Sequence, residues 1–161
     1  MGVRQGTAGF SLTELMVGIV IIGIVMAAAI PNFTSYRESQ RMATACDRLA
    51  AGCREARARA RARNHQIVLD YRTDSNEVAF IDDANDNGVA DAGEAVEVYA
   101  LPEGITMSAT TFTNDQLVFT GRGRALAGGS VTLVAGEHVD PRRVRVSTGT
   151  GEVRVVPVDG G

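Results

Sequence analysis

The stretch "DANDNGVADAGE", residues 83–94, sets oxygen-bearing side chains at the first, third, fifth, ninth and twelfth places of a twelve-residue loop. That spacing satisfies D-x-[DN]-x-[DN]-G-x5-E without a mismatch, the pattern of a loop that wraps calcium. Asp83, Asn85 and Asn87 supply side-chain oxygens, and Val89 a backbone carbonyl at the seventh place. Asp91 serves the ninth, directly or through water, and Glu94 the twelfth, while Gly88 permits the sharp turn. The flanking "VAFI" and "AVEVYA" read as strands, so this is no helix-flanked pair of calcium loops. The plain alternative is a polar hairpin loop with Asn87-Gly88 making the turn. Both readings stay open on sequence, and calcium is the one cofactor suggested.

A second chemistry-bearing group closes the chain. In "RRVRVSTGTGEVRVVPV" the valines Val144, Val146, Val153 and Val155 alternate with Arg143, Arg145 and Arg154. Period-two alternation sets those arginines on one face of a strand pair, where like charges repel. Such a cluster wants an anion, either a phosphate or a carboxylate; Glu137, Asp140 and Glu152 are near in sequence.

The remaining reactive side chains point away from catalysis. Cys46 and Cys53 lie seven residues apart on one helix face, about 10.5 Å between Cα atoms. A disulfide needs about 7 Å or less, so the two are expected as separate buried thiols, too few for a zinc site. His65 and His138 have no partner spacing that makes a nucleophile–base pair. "GRGRALAGG" fits neither a P-loop nor a dinucleotide fingerprint. The chain is read as not an enzyme.

Glu14 is the fourth feature. It stands at the edge of "AGFSLTELMVGIVIIGIVMAAAIP", in which every residue from Leu15 to Ile30 is apolar or glycine. From Phe10 to Ile30 a helix spans roughly 31 Å at about 1.5 Å per residue, the thickness of a bilayer core of about 30 Å. A secretory signal cut after Ala29, a plain anchor and a helix that needs Glu14 all fit the run. Only the third accounts for a carboxylate that is costly in lipid without a partner.

The 161-residue chain suits one domain plus a membrane segment. The net charge of −3 conceals blocks. Residues 37–72 carry nine arginines against four acids, 73–118 ten acids and no base, and 119–161 six arginines against four acids. A purely basic nucleic-acid binder is not built so. Residues 32–63 read as a helix with one apolar stripe of Met42, Cys46, Leu49, Cys53, Ala56 and Ala60. "REARARARAR" belongs to it, because alanine and arginine are both good helix formers. After residue 65 seven or eight short alternating strands follow, "STGTGE" joining the last two. The fold class is therefore α+β, a long N-terminal helix packed on a C-terminal antiparallel sheet domain.

"GFSLTELMVGIVIIGIVMAAAIP" resembles the class III signal of type IV pilins and type II secretion pseudopilins. "LAAGCREARARARARNHQIVL", "QLVFTGRGRA" and "RRVRVSTGTGEVRV" resemble the helix-to-strand region, the Gly-Arg loop and the last hairpin of the GspH/FimT-type minor members. The resemblance implies a leader, residues 1–9, removed by a prepilin peptidase between Gly9 and Phe10, with N-methylation of Phe10. It implies a transmembrane and filament-core helix over 10–31, ending near Pro31, an amphipathic helix over 32–64 and a periplasmic β-rich domain over 65–161. Glu14 then matches the glutamate that pairs with the N-terminal amine of a neighbouring subunit. The expected role is a minor subunit of a type II secretion pseudopilus or a type IV pilus. Its partners are the peptidase, other pilins and the inner membrane. DNA, held by Arg143, Arg145 and Arg154, is the alternative ligand. The last turn has Gly151-Glu152 where members often have Gly-Arg, which counts against DNA.

Overall fold

The computed structural model describes residues 9–88, 91, 93–136 and 139–158, with the backbone alone for 28–34. It contains helix α1 (Leu12–Arg63) and eight strands. These are β1 (Gln66–Arg72), β2 (Glu77–Asp83), β3 (Val96–Ala100), β4 (Thr106–Thr110), β5 (Gln116–Phe119), β6 (Gly129–Val134), β7 (Arg142–Val146) and β8 (Val153–Pro157). The chain divides into two units, with the boundary between Tyr36 and Arg37.

In the first unit the start of α1 is set by Ser11. Its hydroxyl accepts the Glu14 N–H at 3.2 Å, and its carbonyl accepts the Leu15 N–H. This S-x-x-E arrangement is one half of a capping box, and it sets Glu14 in the first turn, where a carboxylate suits the helix dipole. The apolar side chains that follow, from Leu15 to Met26, are exposed. Helical backbone does not stop at Pro31 but continues to Arg63. Among the described residues no helix is long and apolar enough to cross a membrane. The side chains of 28–34, part of the expected 10–31 span, and the leader residues 1–8 lie outside the described residues.

In the second unit α1 buries Met42, Ala45, Cys46, Leu49, Cys53, Ala56 and Ala60, a 3–4 spacing that makes one face. The strands form two antiparallel sheets, ordered β3-β2-β1-β5 and β4-β6-β7-β8. Alternation alone could not divide them. The split falls in 101–105, where Gly104 adopts φ +84° and turns the chain out of the first sheet, so that β4 pairs with β6. Both sheets contribute to one core with the helix: Leu69, Tyr71, Leu117 and Phe119 from the first, and Leu133, Val144 and Val146 from the second. Tyr71 stacks on Phe112 with ring centroids 5.4 Å apart. Because the helix offers only thiols and methyls from Cys53 to Ala60, the larger strand residues fill the space between.

Candidate functional sites

The loop after β2 is ordered by its own hydrogen bonds. Asp83 is fully buried; one carboxylate oxygen accepts the Asn87 N–H at 3.0 Å and the other the Gly88 N–H at 2.6 Å. Glu94 accepts the N–H groups of Ala84 and Asp91. Asp91 accepts the side-chain amides of Asn85 and Asn87 at 2.7 and 2.6 Å. Asp86, at φ +59°, accepts the Gln66 N–H at 2.8 Å. Val89 lies outside the described residues. Among the described residues no three His, Cys, Asp or Glu side chains converge closely enough to hold a metal.

Asp82, adjacent to that loop, does something else. It pairs with Arg63 and with His65, tying the end of α1 to the end of β2. Successive strand residues point to opposite sides, so Asp83 enters the loop while Asp82 reaches the helix end. Sequence reasoning missed this triad. The available signal was an Arg-x-His at the helix end and two adjacent acids at a strand end.

The arginine hairpin has the register that alternation predicts. Val144 pairs with Val155, Val146 with Val153, and Arg145 with Arg154, which sets Arg143, Arg145 and Arg154 on one face. The three are not equivalent. Arg154 is ion-paired with Glu152 at 2.8 Å, whereas the Nε–H of Arg143 is buried and has no hydrogen-bond partner among the described residues. Glu137 and His138 lie outside the described residues.

The cysteines are both free and buried. Cys53 lies 3.3 Å from the Tyr71 hydroxyl. Burial pushes the Cys53 thiol up to about 11, only partly opposed by that hydrogen bond. Burial, and then the Cys53 sulfur, likewise push Tyr71 well above its usual range. Cys46 is raised by burial, with Arg142 opposing. These are core thiols, held protonated.

Comparison with known proteins follows the same division of the chain. Residues 4–30 match the prokaryotic N-terminal methylation motif, and residues 45–150 match the family model described as type II transport protein GspH. No curated protein matches. Among solved structures, the chain is similar to the minor pseudopilin EpsH of the Vibrio cholerae type 2 secretion system. The TM-score is 0.58 at 13% identity, over 73% of this chain and 97% of that one. It is also similar to the Pseudomonas aeruginosa type IV minor pilin FimU, with a TM-score of 0.57 at 18% identity, over 78% and 92% of the two chains. At such identities these likenesses establish the fold, a helix followed by antiparallel sheets. With the methylation motif at one end and the GspH match over most of the remainder, the chain is a member of the GspH family within the type IV pilin and pseudopilin superfamily.

Proposed function

We propose that this chain is a minor subunit of a periplasmic filament, either a type II secretion pseudopilus or a type IV pilus. It is made as a precursor, cut between Gly9 and Phe10 by a prepilin peptidase and methylated on Phe10. It is held in the inner membrane by 10–31, with its β-rich domain in the periplasm, until it joins other pilins. The observation that carries this reading is the row of exposed apolar side chains from Phe10 to Met26, interrupted only by polar residues at its capped start. Apolar surface of that extent needs lipid or other helices around it. Glu14 then waits in lipid for the amine of a neighbour.

Intact-mass measurement on the protein recovered from membranes tests the processing. A mature chain starting at methylated Phe10 is expected; a chain starting at Ile30 would identify an ordinary secretory signal instead. Changing Gly9 to valine should leave the leader attached. The genes beside this one, for a secretion ATPase and secretin or for twitching components, decide between the two machines.

A second reading is favoured by the shared face of Arg143, Arg145 and Arg154: a pilin that binds DNA. Phosphate contacts weaken steeply with salt. A salt-dependent gel shift that Arg143→Gln and Arg145→Gln abolish supports it, and no shift at low salt excludes it.

A further inference from the structure

The outer face of the second sheet has a hollow that neither the methylation motif nor the strand pattern announces. It has a volume of about 530 Å³ and is lined by Thr111, Ser130, Arg143, Arg145, Ser147 and Thr148 together with the glycines before Ser130. Its chemistry is one-sided. It holds two guanidinium groups and four hydroxyl side chains, and among the described residues no carboxylate lines it. Thr148 accepts the Gly128 N–H at 2.8 Å, which leaves its own proton to donate. Thr111 accepts the Ser130 N–H at 2.8 Å. Glycine is needed in this floor: a Cβ at Gly128 would come within 2.5 Å of the Thr148 hydroxyl, and one at Gly129 within 2.4 Å of the Phe112 ring.

Among the described residues the two arginines have no carboxylate partner. Arg154, opposite Arg145 in the register, is drawn to Glu152. No ion pair is formed by Arg143 or Arg145 among the described residues, and the Arg143 Nε–H is buried without an acceptor. Two like charges two residues apart on one strand, beside the Thr148 hydroxyl proton and a Thr111–Ser130 pair that share one hydroxyl hydrogen bond, suit an oxyanion. Arg122 and Arg124 line a neighbouring hollow that shares Thr148, which adds two more cations nearby.

We propose that this hollow is an oxyanion receptor that takes the acidic side chain of a neighbouring subunit, so that Arg143 and Arg145 are assembly residues. This rests on the filament reading above. A protein carboxylate suits the site better than a nucleic-acid phosphate for two reasons. The hollow is far larger than one oxyanion, so it has room for the stem of a side chain. Exposed acids are also what such a subunit presents: Asp91 and Glu103 of this chain are exposed, in a stretch with no base, whereas the exposed Glu97 is taken by Arg59.

The test uses the full chain in detergent, labelled with ¹⁵N and titrated with tetraglutamate at low ionic strength. The side-chain Nε–H resonances of Arg143 and Arg145 should move together and saturate, while that of Arg54 on the helix stays. Arg143→Lys keeps the charge but loses the fork, and should weaken binding several-fold without lowering the melting temperature. Uniform shifts of every arginine, or displacement of tetraglutamate by a short DNA duplex at equal charge concentration, would overturn the proposal. In cells, the double variant R143Q/R145Q should be cut and methylated but absent from sheared filaments. Wild-type protein absent from filaments would refute the filament reading itself. Wild type and double variant present in equal amounts would refute only the receptor.

Discussion

Gly121 lies against Asn64 so closely that a Cβ on it would stand 2.6 Å from the Asn64 carbonyl carbon. Asn64 is the residue after α1, in the left-handed conformation at φ +57°, so the first glycine of "GRGRA" serves to seat the loop after β5 on the helix end. Gly121→Ala forces backbone apart, and overpacking of this kind costs about 1–3 kcal/mol. The full chain in detergent should melt several degrees lower, and an unchanged melting curve would mean that the helix end is not held there.

Cys53 and Tyr71 predict an alkaline weakness. Burial pushes the folded thiol from its ordinary 9.0 up to about 11, and burial raises Tyr71 in the same direction. A raised folded value means stabilisation that is complete below pH 9 and is lost as pH climbs toward 11. The melting temperature should fall across that window, and a Cys53→Ala/Tyr71→Phe double variant should show a shallower fall. Iodoacetamide at pH 8 should leave both cysteines unmodified until the protein is unfolded.

Asp83 predicts both a loss and a question about calcium. Its buried carboxylate accepts two backbone N–H groups, and hydrogen bonds to a charged group contribute about 1.5–3 kcal/mol. Asp83→Ala should therefore lower the melting temperature even in EGTA. A calcium ion held by Asp83, Asn85, Asn87, Val89, Asp91 and Glu94 would add about 2.7 kcal/mol at a hundredfold excess over Kd. That gain would appear in millimolar calcium, be smaller with magnesium, vanish in Asp91→Ala or Glu94→Ala, and survive in Asp74→Ala. Coincident curves in calcium and EGTA would leave the loop as a hydrogen-bonded turn.

Glu14 has two candidate roles that one pair of variants separates. As a capping residue it is replaceable by glutamine, since S-x-x-Q caps as S-x-x-E does; as the partner of an amine it is not. Glu14→Gln and Glu14→Leu should both insert into the membrane and both be depleted from sheared filaments. If Glu14→Gln assembles normally while Glu14→Leu fails, the carboxylate belongs to the helix start and the proposed ion pair is wrong.

The elements were legible because their periods are pure. The stripe Met42–Ala60 is buried as its spacing demands, and the closing hairpin has the register its valines specify. What was not legible depends on contacts between distant residues. Nothing local in "RNHQ" or "FIDD" tells that Asp82 joins Arg63 and His65, or that Asp86 caps the Gln66 N–H. The division into two sheets was hidden for the same reason: β4 alternates like its neighbours, and only the turn at Gly104 sends it elsewhere. The arginine face was readable as a face, but the separation of Arg154 from Arg143 and Arg145 hangs on one carboxylate, Glu152.

The small-residue face of α1 also bears on how such a chain can diverge. Cys53, Ala56 and Ala60 have no accessible surface, so substitutions there are confined to side chains of almost no volume. Exposed Arg48 and Arg54 on the other faces carry no such restriction of size, whereas Arg57, Arg59 and Arg63 are tied to the Gly123 carbonyl, to Glu55 and Glu97, and to Asp82. Descendants of this sequence can reverse the charge of their exterior, and with it their choice of neighbours, while the interior stays frozen.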